Sequence, residues 1–243
     1  MTTVSDAAVW HDLECGRYTA DLPYWRGLAA ACRGPILDLG AGTGRVSIDL
    51  ARHGHAMTAL DIDHELLSEL SRRAHRARVR VNAVLGDARD FRIDETFALI
   101  VIPMQTIQLL GEAGRARLLS CAAAHLSSDG RLAAAITESF DLYEAADGQL
   151  LPEPDVVEAG GTVYVSQPTA VTQTRDGFIL ERRRETLPPD AERVVELQQE
   201  RLDSLTADQL EAEGIEAGLR PGGRIEIAST SDHVGSVVVV LDA

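Results

Sequence analysis

The chain has 243 residues, of which 45% are hydrophobic and 25% charged, a composition that suits a globular protein with a sizeable core. Its net charge of −15 disfavours DNA or RNA as the main partner, because phosphate backbones repel an acidic surface. Cys15, Cys32 and Cys121 lie far apart, so we expect reduced thiols and no metal site. The N-terminus lacks a secretory pattern and the longest apolar run, 237–241, is too short to span a bilayer; we therefore expect a cytoplasmic protein without membrane contacts.

Strand-like and helix-like segments alternate over the first 136 residues. A first helix is predicted over 19–32, with Thr19 as its cap. Strands are predicted over 36–39, 56–60, 79–85, 97–102 and 130–136, and helices over 45–53, 64–76 and 112–126. Repeated strand–helix units form parallel sheets with helices on both faces, so we expect an α/β, Rossmann-like doubly wound fold. Its ligand would lie at the C-terminal ends of the central strands.

The pattern changes after residue 137. Residues 138–161 suggest a short helix and a loop, and strand-like runs follow over 162–174, 178–187 and 193–203, the last of which could instead be helical. We interpret these runs as an antiparallel β insertion placed before the last helix and strand pair of the sheet domain. A helix over 206–219 and strands over 224–228 and 236–241 complete the chain. The predicted organisation is N-terminal helices at 1–33, a core at 34–137 and 204–243, and the insertion at 138–203.

A glycine-rich turn follows the first predicted strand, with Gly40, Gly42 and Gly44 at a spacing of two. Glycines allow positive φ and close approach of a ligand to the backbone, and the N-terminus of the following helix favours an anionic group. A nucleoside triphosphate loop would need a lysine after its last glycine, and none is present. A dinucleotide site would need glycine at the position of Arg45, so a nicotinamide cofactor is disfavoured.

Residues 38–44, DLGAGTG, resemble the Asp/Glu-x-Gly-x-Gly-x-Gly motif of class I S-adenosylmethionine-dependent methyltransferases. The order of elements is similar to that family over 36–136, although Ala98 stands where the family often has an aspartate. The resemblance implies S-adenosyl-L-methionine as the cofactor, and a seven-stranded sheet that is mostly parallel with an antiparallel last strand. It also implies that Asp61 holds the ribose hydroxyls and that Asp87 accepts from the adenine amine.

The predicted cofactor-binding residues come from the N-terminal segment 1–33, the glycine turn and the ends of the next three strands. They are Tyr18, Asp38, Gly40, Ala41, Gly42, Gly44, Arg45, Asp61, Ile62, Asp87, Ala88, Pro103 and Met104. Asp38 interrupts an apolar strand, and its carboxylate needs partners there, which we expect to be loop N–H groups or the methionine ammonium. Other interpretations remain open for two of them, since Asp61 could cap the next helix and Asp87 could be a turn residue.

The sequence says less about the residues that bind the methyl acceptor. Residues 1–33 resemble the lid, and 138–203 the substrate cap, of bacterial small-molecule methyltransferases that act on amines or natural products, and the loop after the fourth strand is similar to theirs. This resemblance suggests Trp25 and Gln105 as substrate-binding residues, and Tyr143, which follows the fifth strand, could also face the acceptor. No general base has a clear signature, and the catalytic residues stay unknown, with Tyr18, Gln105 and Glu138 as candidates. The absence of such a base slightly favours nitrogen over oxygen as the methylated atom.

Three functions fit these observations. The first is S-adenosylmethionine-dependent methyl transfer to a small molecule, by in-line displacement in a site that aligns the reactants and excludes water, in a monomer or homodimer. A second is a protein that binds the same cofactor without methylating, such as a cyclase, an isomerase or a regulatory protein. A nicotinamide oxidoreductase is the third and fits the glycine spacing worst.

Overall fold

The computed structural model describes residues 4–144, 151–230 and 233–243. The chain divides into two compact units, one formed by Tyr18–Glu138 and Leu205–Ala243, the other by Met1–Arg17 and Ser139–Ser204. These boundaries lie within one residue of the predicted limits of the insertion. They differ at the N-terminus, because residues 18–33 group with the core and only the segment before them groups with the insertion. The physical reason is the helix over 22–31, whose Trp25 and Ala29 are fully buried in the core beside the sheet.

The larger unit is built on a seven-stranded sheet. Its strands are β1 (Ile36–Leu39), β2 (Met57–Asp61), β3 (Val81–Leu85), β4 (Phe97–Ile102), β5 (Leu126–Ile136), β11 (Arg220–Ile227) and β12 (Ser236–Asp242). They lie in the order β11-β12-β5-β4-β1-β2-β3. The pairs from β3 through β5 are parallel, whereas β12 is antiparallel to both of its neighbours. This confirms the predicted doubly wound sheet with an antiparallel last strand.

Helices cover both faces of this sheet. They are α2 (Leu22–Ala31), α3 (Arg45–Arg52), α4 (His64–Ala77), α5 (Gly111–His125) and α6 (Ala207–Glu216). Every residue of β4 is buried, and its side chains alternate between the two faces. Ile100 and Ile102 pack in the core that α5 and α6 cover, and Leu99 and Val101 pack in the core that α2 and α3 cover. The continuous apolar run of β4 follows from this double burial.

The smaller unit is built on a five-stranded antiparallel sheet. Its strands are β6 (Tyr143–Glu144), β7 (Asp155–Ala159), β8 (Thr162–Gln173), β9 (Gly177–Leu187) and β10 (Val194–Asp203). The order is β10-β9-β8-β6, and β7 also pairs with β8. Trp10 and Leu13, in α1 (Asp6–His11) and the π-helical turn that follows it, pack against Tyr164. The antiparallel insertion is therefore confirmed, and its third run is a strand rather than a helix.

Several predicted boundaries are wrong. The short helix expected within 138–161 is not seen in the part of that segment that the structure describes, where β6 and β7 form instead; residues 145–150 lie outside the described part. The N-cap position of α2 is Asp21 and not Thr19. The strands β5 and β11 begin four residues earlier than predicted, and no bounds were predicted for α1. The start of β5 was predicted too late because Gly130 lies inside the strand, and glycine is normally taken as a sign that a strand is interrupted.

None of the described helices is both long and apolar enough to cross a membrane.

Candidate cofactor site

The glycine turn connects β1 to α3 and is held against the end of β2. The backbone N–H groups of Gly40 and Ala41 both donate to the carbonyl oxygen of Leu60, at 2.9 and 3.1 Å. Gly40, Gly42 and Gly44 have φ values of 72°, 54° and 91°. Side chains other than glycine rarely adopt such angles, so all three glycines are explained by the backbone path alone.

Two of these glycines also lie where no side chain would fit. A Cβ on Gly40 would stand 2.5 Å from Cγ2 of Thr106, and a Cβ on Gly44 would stand 2.7 Å from Cγ of Leu70. Thr106 belongs to the segment after β4, so that segment lies directly against the turn. The Oγ1 of Thr106 donates to the carbonyl oxygen of Pro103 at 3.0 Å, which folds the segment back on itself.

Asp38 lies in β1 just before the turn and is almost completely buried. Its Oδ2 accepts a hydrogen bond from the hydroxyl of Ser47 at 2.6 Å, whereas its Oδ1 has no hydrogen-bond partner among the described residues. The pKa of Asp38 is raised to about 6, mainly by burial and in part by the Asp61 carboxylate, against the lowering effect of the Ser47 hydroxyl and the Arg45 guanidinium. An unpartnered buried carboxylate oxygen is costly unless a ligand completes it.

Asp61 ends β2 and is also buried. Its Oδ2 accepts from the N–H of Gly42 at 2.7 Å, and its Oδ1 accepts from the N–H of Asp63 at 2.9 Å. The cap of α4 is Asp63, whose side chain accepts from the first N–H groups of that helix. The alternative interpretation of Asp61 as the helix cap is therefore wrong. Each carboxylate oxygen of Asp61 has one hydrogen bond here and retains a second acceptor position.

Asp87 and Ala88 follow β3, and Ile62 follows Asp61. The Asp87 carboxylate forms a forked ion pair with the Arg89 guanidinium at 2.6–3.0 Å and accepts from the Arg89 N–H at 2.8 Å. The Arg89 guanidinium holds the pKa of Asp87 at about 2. Asp87 thus already acts as a turn residue, and a role in adenine binding stays a prediction. Ile62 is 69% exposed, an apolar side chain beside the Asp61 carboxylate.

The segment after β4 contains a strained residue. Met104 has a φ of 56°, one of two non-glycine residues with positive φ among the described residues. Such angles are uncommon in a flexible, unbranched side chain and mark a tightly specified turn. The Nε2 of the next residue, Gln105, donates to the Oγ1 of Thr137 at 2.8 Å. Gln105 therefore bridges this segment to the end of β5.

Tyr18 and Arg45 meet at the N-terminal side of the larger unit. The Tyr18 ring stacks on His233 with centroids 4.6 Å apart, and the Arg45 guanidinium lies 5.3 Å from the Tyr18 ring centre. Arg45 also donates to the Tyr18 carbonyl oxygen at 2.9 Å and to both carboxylate oxygens of Asp21. Its side chain is thus held against Tyr18 and Asp21, and its predicted contact with a cofactor stays a prediction.

Trp25 corrects one prediction. Its side chain is fully buried, and its indole N–H donates to Asp21 Oδ2 at 2.8 Å. A side chain without exposed surface cannot contact an acceptor, so Trp25 is a core residue. The helical spacing of Trp25 with apolar neighbours is as typical of a core residue as of a substrate-binding one.

Two further candidates have structural partners. The Glu138 Oε1 accepts from the N–H of Ala207 at 2.7 Å and so caps the start of α6. Tyr143 belongs to the smaller unit, on β6, where burial raises the pKa of its phenol. Neither contact tests a role in catalysis or substrate binding, and both roles stay predictions.

The sequence did not predict the residues that pack against or hydrogen-bond the predicted site residues. Ser47 hydrogen-bonds Asp38, Thr106 fills the space over Gly40, and the fully buried Gln108 binds both the N–H and the carbonyl oxygen of Thr137. No spacing rule in a single sequence points to such partners. The only available signal was that a buried aspartate needs a donor nearby, and α3 was the nearest helix.

The described residues fit S-adenosylmethionine. The orphaned Oδ1 of Asp38 would receive a buried ammonium, and the N-terminus of α3, which has no side-chain cap, would favour a carboxylate. Asp61 keeps free acceptor positions for a ribose diol. The exposed Ile62 beside it offers an apolar surface for a flat base.

Comparisons with known proteins agree with this fit. A family model described as a methyltransferase domain matches residues 36–130. A cypemycin N-terminal methyltransferase from a Streptomyces species is 36% identical over 96 residues, which are 39% of this chain and 38% of that relative. The match therefore spans well under half of the relative's length.

Solved structures extend the likeness to the whole chain. A sugar N-methyltransferase from Streptoalloteichus shares the fold with a TM-score of 0.72 at 18% identity, over 98% of this chain and 94% of that one. A glycopeptide N-methyltransferase complexed with S-adenosyl-L-homocysteine has a TM-score of 0.63 at 25% identity, over 90% and 86% of the two chains. S-adenosyl-L-methionine is the cofactor of this class. Residues 36–130 therefore match a methyltransferase domain, and the chain shares its fold with solved S-adenosylmethionine-dependent methyltransferases.

Proposed function

We propose that this protein transfers the methyl group of S-adenosylmethionine to an amine nitrogen of a small molecule, in natural-product or amine metabolism. The observation that carries the proposal is the buried Oδ1 of Asp38, which has no partner among the described residues and lies next to the glycine turn. A buried carboxylate in this state is suited to an ammonium group, and the methionine part of the cofactor provides one.

The other cofactor contacts follow from the same edge of the sheet. The first N–H groups of α3 would receive the methionine carboxylate, because a helix N-terminus favours an anion. Asp61 would accept from the ribose hydroxyls through the acceptor positions that Gly42 and Asp63 leave open. Ile62 would pack against the adenine.

Methyl transfer from a sulfonium to an amine needs little acid–base catalysis. When bound, S-adenosylmethionine supplies an electrophilic methyl group on a sulfonium that is a good leaving group. The contribution of the protein is to align the acceptor with that methyl group and to exclude water. An amine needs only to be present in its neutral form, whereas a hydroxyl usually needs a general base within hydrogen-bond reach.

The candidate bases are poorly suited to activating a hydroxyl. Glu138 already uses Oε1 to bind the Ala207 N–H, and the amide of Gln105, which cannot act as a base, is bound to Thr137. Burial and the Asp21 carboxylate raise the pKa of Tyr18, so its phenol stays protonated at neutral pH. These contacts support nitrogen as the acceptor atom. The relatives also support it, since the cypemycin, sugar and glycopeptide enzymes are all described as acting at nitrogen or at an N-terminus.

Matched acceptors test the proposal. Pairs of small molecules that differ only in an amine against a hydroxyl, such as amino sugars and their parent sugars or peptides with free and blocked N-termini, should be incubated with the cofactor. We expect S-adenosylhomocysteine to be released with the amine member and not with the hydroxyl member. Release with the hydroxyl members alone would contradict the choice of nitrogen. Tight cofactor binding without release for any acceptor would favour the non-methylating alternative.

A further inference from the structure

A cleft with an excess of arginine lies between three helices of the larger unit. It has a volume of about 340 Å³, and its lining includes Leu22 from α2, Ile48 and Arg52 from α3, and Arg73, Arg76 and Ala77 from α4. We name it the arginine cleft. Part of its wall is the segment Thr43–Arg45, which belongs to the glycine turn and the start of α3. None of the predicted substrate residues lines it.

The charges around the arginine cleft do not cancel. Asp49 is the one acidic side chain in the lining, and both of its carboxylate oxygens accept from Arg26 at 2.6 and 2.7 Å. Arg45 is paired with Asp21, and Arg73 is paired with Glu69. Arg52 and Arg76 form no ion pair or side-chain hydrogen bond in the part of the chain that the structure describes, and both are exposed. The lining therefore presents two unneutralised guanidinium groups.

The arginine cleft brings unpaired positive charge together on an acidic chain. The sequence has 38 Asp and Glu against 23 Lys and Arg, so carboxylates are available to most arginines. Some exposed arginines elsewhere, such as Arg224 with Asp208 and Glu211, are paired, whereas Arg33 and Arg92 form no ion pair among the described residues. Two exposed arginines that line one cleft without carboxylate partners leave a local positive potential on a negative molecule.

The donor types in the cleft match phosphate oxygens. Guanidinium groups present planar forks of N–H donors, which bind phosphate in a bidentate manner. The Nη1 of Arg73 also donates to the Oγ1 of Thr43 at 3.3 Å, so a hydroxyl and a third guanidinium lie at the same wall. The volume exceeds what a single inorganic phosphate needs and suits a diphosphate or a small organic phosphate.

We propose that the arginine cleft is a binding site for a soluble phosphate-bearing anion, with Arg52 and Arg76 as its principal ligands. A membrane phospholipid would share the headgroup chemistry, but the net charge of −15 repels an anionic lipid surface. The proposal needs neither the acceptor nor methyl transfer, so it stands or fails independently of the proposed function.

Calorimetric titration of the full chain with inorganic pyrophosphate tests it. We expect saturable binding that weakens as the salt concentration rises, because the contacts are ionic. The double variant Arg52→Gln/Arg76→Gln should bind pyrophosphate about tenfold more weakly or worse. The matched control Arg33→Gln, which removes an exposed arginine of the same unit outside the cleft, should bind as the wild type does.

Thermal melting of each variant checks that the fold is retained, and the exposure of both arginines predicts little change. Absence of saturable binding to the wild type would overturn the proposal. Equal affinity of the wild type and the double variant would do so as well. Binding to vesicles that contain phosphatidic acid, without binding to pyrophosphate, would show that the ligand is a lipid and not a soluble anion.

Discussion

Asp38 lowers the stability of the fold and is the residue on which the proposed cofactor contact rests. It is buried in an apolar strand with one hydrogen bond for two oxygens, and its pKa is raised to about 6, mainly by burial. The ordinary value for aspartate here is 3.8. A folded protein that holds a proton more tightly than its unfolded chain loses stability as the pH rises between the two values.

This linkage gives a measurable signature in Asp38→Asn, which cannot titrate at this position. As the pH rises from about 4 to about 6, the wild type should lose stability relative to the variant, by up to about 3 kcal/mol of unfolding free energy, with no further change above that range. Chemical denaturation of both proteins at a series of pH values measures the difference. A difference that is constant with pH would show that Asp38 has an ordinary pKa.

The cofactor provides the matching control. An ammonium beside Asp38 stabilises the ionised carboxylate, so cofactor affinity of the wild type should fall as the pH drops below about 6, where the carboxylate is protonated. The Asp38→Asn variant should bind more weakly and without this pH dependence. An unchanged affinity in the variant would mean that Asp38 does not face the ammonium.

At the same scale, the sequence allowed some residue roles to be predicted and not others. The three glycines and Asp38 could be predicted because each violates a local rule, glycine in a tight turn or a carboxylate in an apolar strand. Trp25 could not be assigned correctly, because an aromatic residue at helical spacing looks the same whether it faces the core or a ligand. The bond from Arg45 to Asp21 joins residues 24 apart, and no local pattern encodes it.

The turn from β1 to α3 is the element on which the site depends. Gly44 and Gly54 both have φ near 90°, but a Cβ on Gly44 would collide with Leu70, whereas a Cβ on Gly54 would meet no atom within 4 Å. The two positions therefore separate backbone strain from steric overlap.

Gly54→Ala should cost about 1 kcal/mol of stability, the usual strain of a side chain at positive φ. Gly44→Ala should cost more, about 2–4 kcal/mol, because Leu70 must move as well, and it should weaken cofactor binding. Thermal unfolding and calorimetry with S-adenosylhomocysteine measure both effects. Equal costs at the two positions would mean that the turn is looser than the structure shows.

Elements with strong local signals were predicted well, and those held by tertiary contacts were not. The start of α6 has a local signal, the capping box of Thr206 with Gln209, and β4 has the predicted limits. In contrast, α1 is six residues long, too short to be stable alone, and depends on the packing of Trp10 against Tyr164. The strand β7 pairs with β8, and its partner, not its own sequence, determines its form.

On the scale of the whole molecule, the order of strands was predictable because connection rules leave few alternatives. Repeated strand–helix units require right-handed crossovers and a switch in strand order beside β1. The grouping of residues 4–17 with the insertion could not be predicted, since it depends on contacts between segments about 150 residues apart, such as that of Glu14 with Ser166 and Arg184. The insertion is also where the acceptor specificity of the proposed function is least readable from sequence.

The central claim is that this sheet edge binds S-adenosylmethionine through the glycine turn and its carboxylates. Calorimetric titration of the wild type and of Asp61→Ala with S-adenosylhomocysteine, and of the wild type with NADH, tests it most directly. We expect S-adenosylhomocysteine to bind the wild type and NADH not to bind it. The Asp61→Ala variant should lose about 1.5–3 kcal/mol of binding free energy for S-adenosylhomocysteine, because the ribose loses its charged partner. Asp63→Ala, which removes the cap of α4, should lower stability by about 1 kcal/mol and leave the affinity unchanged. Binding of NADH without S-adenosylhomocysteine, or equal affinity in Asp61→Ala and the wild type, would contradict the account.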